Sequence, residues 1–560
     1  MTAKIPATLS AKTPTKVHAG TDMMPAWDVG ELPPSPVFTM RNWVALIGPG
    51  LVMGGAAIGG GEWVTGPLVT AKYGGAMLWL ATLSILGQVI YNIEISRYTL
   101  YTGEPIFTGK FRIPPGPIFW MFVYLVLDFG SFLPYLASNA ATPLAAVMLG
   151  HIPNTKSLDP AQLMGWTAQI GDFVITEKRL MWLLSYVVFF AAIAPLLVGG
   201  KVYNSVKAIM SVKVFLVLGF LVFVAVCFSS VSTWVEILSG FFQFGTVPIE
   251  IKQADGTTTI ATQNIILSSL AGEALPKIDM SMIGVLCAMV AISGSGGLTN
   301  TTICAYTRDQ GWGMGKHVGA IPSLIGGHKL ELSHTGMVFP ITPEAMPRWR
   351  GWLRHVWRDQ LVVWMPACFV GLALPAMLSV QFLPRGLNVD DNWLAAGMTA
   401  NGVGQAVGSQ WGAEFGPVFF YLTLLCGVLI LWPSTITTID GFLRRWVDVV
   451  WVGLPAVRKW DPKRIGTLYS RVLFGYVILG CAAMAIGEPT TLLKVTGVFY
   501  NYALGFSCWQ TLAVNTMLLP RELRPGWGNR LGLVLAGVFF LGLAIITSID
   551  LVSKLKLFGA

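Results

Sequence analysis

Long apolar stretches dominate this 560-residue chain, and short polar or basic segments separate them. A helix needs roughly 20 mostly apolar residues to cross the hydrocarbon core of a bilayer. Eleven stretches approach or exceed that length, and we predict that each forms a membrane-spanning helix. They lie near residues 42–72, 76–100, 117–149, 180–199, 205–229, 281–306, 358–383, 415–438, 470–487, 491–518 and 529–552.

Two of these predicted spans are interrupted by glycines. The first contains glycines at residues 59–61, and the sixth contains Gly294, Gly296 and Gly297. Glycine costs a helix interior about 1 kcal/mol relative to alanine, so we expect both helices to unwind near the middle of the membrane. Two broken helices five spans apart are typical of a five-plus-five inverted repeat that binds its substrate between the breaks. The alternative is that the glycines only allow close helix packing.

The chain divides into five segments on this pattern. They are a disordered cytoplasmic tail at 1–40, a first transmembrane repeat at 41–229, an extracellular loop at 230–280, a second transmembrane repeat at 281–518, and an eleventh helix with the C-terminus at 519–560. The tail is polar and proline-rich, and it lacks the apolar stretch of a signal peptide. In the loop, alternating apolar residues at 247–263 around Asp255 and Gly256 predict a small β-hairpin.

The composition agrees with a membrane protein. With 54% hydrophobic residues, 12% charged residues and a mean hydropathy of +0.63, the chain cannot bury its apolar side chains as soluble domains. We therefore predict an all-α integral membrane protein whose surroundings are the lipid bilayer. The net charge of +9 does not indicate a nucleic-acid partner, because Lys and Arg lie in short clusters between the spans. By the positive-inside rule these clusters predict a cytoplasmic N-terminus and an exterior C-terminus. The lack of a recognisable targeting signal leads us to expect a bacterial inner (plasma) membrane.

Several short motifs resemble those of the Nramp family of divalent-metal transporters. Residues 48–50 (Gly-Pro-Gly) and 57–65 (Ala-Ile-Gly-Gly-Gly-Glu-Trp-Val-Thr) are similar to the family's first helix, where a GPG start leads into a DPGN motif. Residues 96–97 (Ser-Arg) with 102–103 (Thr-Gly) resemble the end of its second helix, and residues 434–437 match an STIT element of its eighth. The likeness covers roughly residues 42–552. It implies a LeuT-like fold with helices 1 and 6 broken.

The chain departs from this family at the metal ligands. The Asp and Asn of the DPGN motif correspond to Gly59 and Glu62, and the family's Met and His in the sixth helix are absent from residues 294–300. The acidic pair that carries protons in the family's third helix falls on Pro134 and Ala137. The resemblance therefore implies the fold more strongly than it implies transition-metal transport.

Glu62 is the leading candidate for the site, and the only one that we assign as a charged metal ligand. An ionisable residue at a helix break in the membrane is costly unless it pairs or binds a cation. The carbonyl groups near Gly59 would add oxygen ligands. The alternative is that Glu62 caps the second half-helix, where a negative charge complements the helix dipole. One carboxylate can do both.

The sixth-helix break would complete a site made of oxygen atoms. Gly294 and Gly297 offer carbonyl groups, and Ser295, Thr299 and Asn300 offer side-chain oxygens. Oxygen ligands suit Mg²⁺, Mn²⁺ or Ca²⁺ better than soft ions. The alternative for Asn300 is a simple N-cap of the outgoing half-helix.

Other charged residues are candidates for proton transfer or gating. Asp128 either pairs with a polar neighbour or carries a coupled proton. Glu94 and Arg97 are spaced to form an intracellular pair with a structural or gating role. Asp440 lies one turn before Arg444, and we predict an interfacial i,i+4 ion pair.

We interpret the chain as a secondary transporter that moves a divalent cation, of the Mg²⁺ or Mn²⁺ type, by alternating access. The alternative is a carrier of a small organic solute on the same fold, driven by Na⁺ or H⁺. Glu62 would repel an anionic substrate, which favours a cation. No enzyme is predicted, because the chain has no Gly-x-Ser-x-Gly, His-Glu-x-x-His or P-loop motif. We expect no cofactor, the cation being the substrate; the coupling ion and the oligomeric state stay open.

Overall fold

The computed structural model shows a bundle of long helices joined by short connections. It describes residues 16–39, 48–153, 169–170, 173–174, 176–197, 202–252, 258–274, 276–321, 331–387 and 394–554. The helices of the first half are α1 (Pro49–Ala57), α2 (Gly66–Tyr73), α3 (Trp79–Thr102), α4 (Ile106–Arg112), α5 (Pro117–Leu127), α6 (Tyr135–Leu149), α7 (Glu177–Leu197), α8 (Val202–Phe228), α9 (Val231–Gly240) and α10 (Ile265–Leu270).

The second half of the chain also contains both long and short helices. Its helices are α11 (Ile283–Ile292), α12 (Thr302–Asp309), α13 (Gly315–Val318), α14 (Ala345–Arg358), α15 (Met365–Phe382), α16 (Thr399–Trp411), α17 (Phe415–Gly453), α18 (Ile465–Ile486), α19 (Pro489–Leu518) and α20 (Trp527–Lys554). A π-helical turn, Asp359–Trp364, joins α14 to α15 as one long helix.

Every predicted span coincides with helical structure, but fewer meet a strict criterion for crossing a membrane. Within the described ranges eight helices are long and apolar enough, and a ninth crossing is the pair Pro49–Met77 and Trp79–Thr102, bent by 95°. The count of eleven took that pair as two spans. It also included α19, whose polar side chains, such as Asn501, Gln510 and Asn515, lower its hydropathy.

Both predicted breaks are present. In the first span α1 ends at Ala57 and a π-helical turn, Gly61–Thr65, leads into α2; we call residues 58–60 break 1. In the sixth span α11 ends at Ile292 and a 3₁₀ turn, Gly297–Thr301, leads into α12; we call residues 293–296 break 6. The prediction of two interrupted helices is confirmed.

The three consecutive glycines of the first span each face a different helix. A Cβ atom at Gly59 would lie 3.1 Å from Ser434 Oγ in α17, and one at Gly60 would lie 2.7 Å from the ring of Tyr135 in α6. At Gly61 it would lie 3.0 Å from the backbone of Ile292 in α11. The approach at Gly60 is closer than real Cβ atoms come, and those at Gly59 and Gly61 would be unusually tight, so these glycines serve both the break and the close packing around it.

The strands lie outside the helical bundle. They are β1 (Lys16–Val17), β2 (Trp27–Val29), β3 (Gln169–Ile170), β4 (Phe173–Val174), β5 (Thr246–Lys252), β6 (Thr258–Asn264) and β7 (Met337–Val338). Strands β5 and β6 pair antiparallel from Thr246 opposite Asn264 to Lys252 opposite Thr258. The predicted hairpin is confirmed, and the turn at Asp255 and Gly256 lies outside the described residues.

Residues 16–39 differ from the disordered tail that their composition predicts. Strand β2 pairs with β1 and, in parallel, with β7, which lies more than 300 residues away in the chain. Trp27 is 1% exposed, and the guanidinium of Arg112 lies 4.7 Å from the centre of its ring. The prediction of disorder is wrong for this stretch because its few apolar residues are buried against α4 and the loops. We call the face that it covers the tail side.

Candidate substrate site between the two breaks

Glu62 connects the two broken helices through its side chain. Its Oε2 accepts a hydrogen bond from the backbone N–H of Gly59 at 2.9 Å, and its Oε1 accepts one from the N–H of Gly294 at 3.2 Å. The residue is fully buried. The reach back to Gly59 is similar to that of a capping box, but Gly60 is the N-cap of the turn Gly61–Thr65 and no side chain caps it, so the capping role stays a prediction. The bond to Gly294 shows that the same carboxylate joins breaks 1 and 6.

Gln88, from the middle of α3, holds break 6 from the other side. Its Nε2 donates to the carbonyl group of Ser293 at 2.7 Å, and its Oε1 accepts from the N–H of Ser295 at 3.2 Å. The same oxygen accepts from Nδ2 of Asn300 at 2.9 Å. Asn300 lies inside the 3₁₀ turn and contacts Gln88, so it is not the N-cap of α12.

Four buried polar atoms of break 6 and of the 3₁₀ turn after it lack a hydrogen-bond partner within the described part of the chain. They are Ser293 Oγ, Ser295 Oγ, Thr299 Oγ1 and Asn300 Oδ1. A buried polar group without a partner costs about 1–3 kcal/mol. A substrate that supplied hydrogen bonds or charge at this point would recover that cost.

The remaining predicted residue of the sixth span, Gly297, lies on the far side of the turn. A Cβ atom at Gly297 would lie 2.6 Å from the ring of Tyr500 in α19, and Gly297 has a φ of +55°. Thr299 also faces Tyr500. The structure therefore brings Gly59, Glu62 and Gly294 together, whereas Gly297 and Thr299 pack toward α19.

A lysine that the sequence analysis missed lies beside break 1. Lys213 of α8 is 1% exposed, and its Nζ donates to Ser434 Oγ at 2.6 Å. The charges of Lys213 and Glu62 attract each other. An ionisable residue inside the apolar span Asn204–Phe228 was the signal that could have identified it.

Asp128 is held in an ion pair, which was one of its two predicted roles. Its Oδ1 accepts from Arg445 Nη2 at 3.0 Å, and its Oδ2 accepts from the indole of Trp446 at 2.9 Å. Arg445 also donates to the carbonyl oxygen of Leu298 at 3.1 Å, just beyond break 6. Asp128 is therefore linked to the sixth span through a buried arginine.

Glu94 and Arg97 form the predicted pair. Arg97 Nε donates to Glu94 Oε2 at 2.8 Å, and both residues are buried. Asn515 of α19 and Asn529 of α20 also donate to the carboxylate of Glu94, at 3.2 and 2.6 Å. The pair joins α3 to α19 and α20, and its structural or gating role stays a prediction.

The donor set at the breaks is poor in metal ligands. Among the described residues, no cluster of three or more His, Cys, Asp or Glu side chains is placed to hold a metal ion. At the breaks themselves, Glu62 supplies the carboxylate, and the other donors are hydroxyl groups, amides and backbone carbonyl groups. Both oxygens of that carboxylate already accept backbone hydrogen bonds.

The backbone at break 6 requires glycine, and this gives a first prediction. Gly294 has a φ of +104°, and a Cβ atom there would lie 2.8 Å from Gln88 Oε1. We expect Gly294→Ala to lower the free energy of unfolding by about 1–3 kcal/mol, the usual cost of an L-residue in such a conformation. Denaturant unfolding of the purified protein in detergent measures this. Gly219→Ala is the control, because a Cβ atom at Gly219 meets nothing within 4 Å; equal losses in both variants would contradict the prediction.

Comparison with known proteins identifies the fold. No protein-family model and no curated protein matches the sequence. Among solved structures, the manganese transporter of Eremococcus coleocola, in complex with an aromatic bis-isothiourea compound, aligns with a TM-score of 0.55 at 12% identity, covering 94% of this chain and 91% of that chain. A variant of the same transporter aligns with a TM-score of 0.56 at 13% identity, covering 96% and 92%.

The nucleobase-cation-symport-1 transporter Mhp1 aligns less well, with a TM-score of 0.45 at 10% identity over 91% of this chain and 93% of that one. The long apolar helices of the described residues make the chain a polytopic α-helical membrane protein. In particular, it has the fold of the manganese transporter, and the predicted all-α, LeuT-like architecture is confirmed. At 12–13% identity the alignment shows the fold alone.

Proposed function

We propose that this chain is a secondary transporter, and not an enzyme, that moves a small polar substrate by alternating access between breaks 1 and 6. Two observations support this proposal. The chain shares its fold with a known transporter over nearly its whole length. Glu62 joins the two breaks directly, so a substrate that reaches this carboxylate contacts both halves of the repeat.

We infer that the substrate is a small organic solute that presents hydrogen-bond donors. The observation that carries this inference is the position of Lys213, whose amine donates to Ser434 Oγ beside break 1 at 2.6 Å, so that a second charged group lies at the same break as Glu62. A lysine ammonium offsets the negative charge that would attract a divalent cation. The unpartnered atoms at Ser295 and Asn300 then provide a neutral, oxygen-lined surface.

The second candidate is a divalent cation of the Mg²⁺ or Mn²⁺ type. The observation in its favour is that the unpartnered side-chain atoms at break 6 are all oxygens, which hard cations prefer. In this case Glu62 would exchange its backbone hydrogen bonds for the ion. If the substrate is a divalent cation, the GPG and STIT motifs support the hypothesis that the chain is a divergent member of the Nramp family. Either substrate fits our proposed placement in a bacterial inner membrane with the N-terminus inside.

A ligand screen followed by uptake distinguishes the two candidates. Purified protein is heated in detergent with MgCl₂, MnCl₂ or CaCl₂, and separately with amino acids, nucleobases and choline. A ligand at 100 times its Kd stabilises the native state by about 2.7 kcal/mol, which shifts the melting temperature measurably. Stabilising compounds are then tested for saturable uptake and counter-transport in proteoliposomes.

We expect an organic compound to stabilise the protein and to be counter-transported, and the metal chlorides to leave the melting temperature unchanged. Stabilisation and saturable uptake of a metal ion would instead favour the second candidate. If folded protein transports none of these probes, the proposal of transport at the breaks is wrong for both substrate classes.

A further inference from the structure

Lys213 lies where α1 ends. Its amine donates to Ser434 Oγ at 2.6 Å, and the same hydroxyl group lies 3.3 Å from the carbonyl oxygen of Ala56 and 3.4 Å from that of Ile58. Both carbonyl groups belong to the last turn of α1 and its C-cap, where the helix leaves its final carbonyl groups without intrahelical partners. The ammonium is therefore held, through one hydroxyl group, at the negative end of a half-helix.

The surroundings of Lys213 contain few other charges. Within the described residues, Glu62, just after break 1, is the acid whose charge acts on Lys213, and the buried thiol of Cys426 in α17 is neutral. The helices packed against α8 are α1, α7, α15 and α17, and Glu62 is the acid among these interacting groups. A buried ammonium depends on such partners, because its charged form loses solvation inside the protein.

The positions of these groups match the requirements of a bound monovalent cation. Carbonyl oxygens from an interrupted helix and a hydroxyl group from a neighbouring helix are hard oxygen ligands, and a carboxylate nearby supplies opposite charge. In this chain a lysine side chain brings its own positive charge to that place. A free cation at the same point would be repelled by it.

We propose that Lys213 is the coupling residue of the transporter, and that its ammonium group takes the place of a coupling cation at break 1. This inference rests on the proposed transport function. Protonated, Lys213 binds Ser434 at the end of α1 and holds the broken helix against α8 and α17. When α1 moves away during the transport cycle while Lys213 stays buried, the ammonium loses the carboxylate of Glu62 and the carbonyl groups at the end of α1, and its N–H bond releases H⁺ to a water molecule on the open side, which leaves a neutral amine. Transport is then driven by H⁺ and not by Na⁺.

The first test does not need the substrate. Removing the lysine side chain in Lys213→Ala leaves the oxygens of Ala56, Ile58 and Ser434 without a cation, so Na⁺ should now bind there. We expect NaCl to raise the melting temperature of Lys213→Ala relative to choline chloride at the same ionic strength. The native chain and Lys459→Met, which removes an exposed lysine, should show no difference between the two salts.

The second test uses a side chain that cannot release its proton. Lys213→Arg keeps a positive charge at the same position, and arginine stays protonated at any physiological pH. With a solute that the native chain transports, we expect uptake driven by a pH gradient to fall at least about tenfold in Lys213→Arg, within the range of coupling between linked sites. Uptake by Lys459→Met should match that of the native chain.

The outcomes separate this inference from the proposed function. If the native chain is stabilised by Na⁺, or if Lys213→Arg responds fully to the pH gradient, Lys213 is not the coupling residue even though transport stands. If no probe is transported by the native chain, the transport proposal fails, and the sodium test still decides whether Lys213 occupies a cation position. Should Lys213→Ala not fold, Lys213→Met in the same salt comparison replaces it.

Discussion

Glu62→Gln is expected to reduce transport by about a hundredfold or more, the loss typical when a buried charged partner costs 2–5 kcal/mol to remove. The carboxylate accepts one backbone hydrogen bond from each break, at Gly59 and Gly294. A glutamine has one acceptor oxygen and one amide that donates. Its NH₂ group would face one of the two backbone N–H groups, so one break loses its bond. The substitution also removes the charge that faces Lys213.

The measurement is initial-rate uptake in proteoliposomes, with folding checked by the elution profile and melting temperature. Glu414→Gln is the matched control, because Glu414 is an exposed carboxylate at the start of α17, and its uptake should equal that of the native chain. Uptake by Glu62→Gln within a factor of about three of native, less than 1 kcal/mol in rate terms, would show that Glu62 does not act in transport.

The interrupted helices could be predicted because their signal is local. Glycines inside an apolar stretch lower helix stability wherever they occur, and the clusters around Gly60 and Gly296 lie at corresponding positions of the two repeats. The side chains that face these glycines could not be predicted, because they depend on how the helices pack. At Gly60 the ring of Tyr135 approaches too closely for any side chain, and that contact joins residues far apart in the chain.

The polar residues of the site were only partly predictable. Glu62 was identified because it follows the glycines directly. Gln88 and Lys213 were missed, although each is a polar residue in an apolar helix, because sequence periodicity does not show which helix faces which. Gln88 reaches residues more than 200 positions away, and such a pairing follows from the packing of α3 against break 6.

Charged residues near helix ends are more deeply buried in the structure than the sequence predicts. The pair of Asp440 and Arg444 was predicted as interfacial, but both side chains are 0% exposed. Arg308, which follows the end of the predicted sixth span, is buried in α12 and donates to Asp448 at 2.6 Å. The i,i+4 spacing predicted the partner of Asp440 correctly. It could not show that α12 and α17 meet and exclude water from the pair.

These charges form a buried network on the tail side, and its centre is Arg444. Arg444 Nε donates to Asp440 Oδ2 at 2.7 Å, and its guanidinium also forms an ion pair with Asp309 of α12. Its charge lies 5.0 Å from the centre of the Tyr306 ring. Because α12 is the outgoing half of the broken sixth helix, this network fixes that half-helix to α17.

Arg444→Met is expected to lower the free energy of unfolding by about 3–5 kcal/mol, because removing it leaves the buried carboxylate of Asp440 without its cation, whereas Asp309 keeps Arg308 at 3.0 Å. Among the described residues, Asp440 would then keep the hydroxyl donors of Tyr306 and Tyr469. Denaturant unfolding in detergent measures the loss. Arg471→Met is the control, since Arg471 is exposed and surface substitutions usually change stability by less than about 0.5 kcal/mol.

The double variant Arg444→Met with Asp440→Asn tests whether charge is the cause. Neutralising Asp440 removes one of the two buried charges that Arg444 balances, so we expect the double variant to be less destabilised than the sum of the single variants, by about 0.5–3 kcal/mol. Strict additivity, or a loss in Arg444→Met no larger than that in Arg471→Met, would mean that packing and not the ion pairs joins α12 to α17. The network would then be no barrier to movement of the sixth helix during transport.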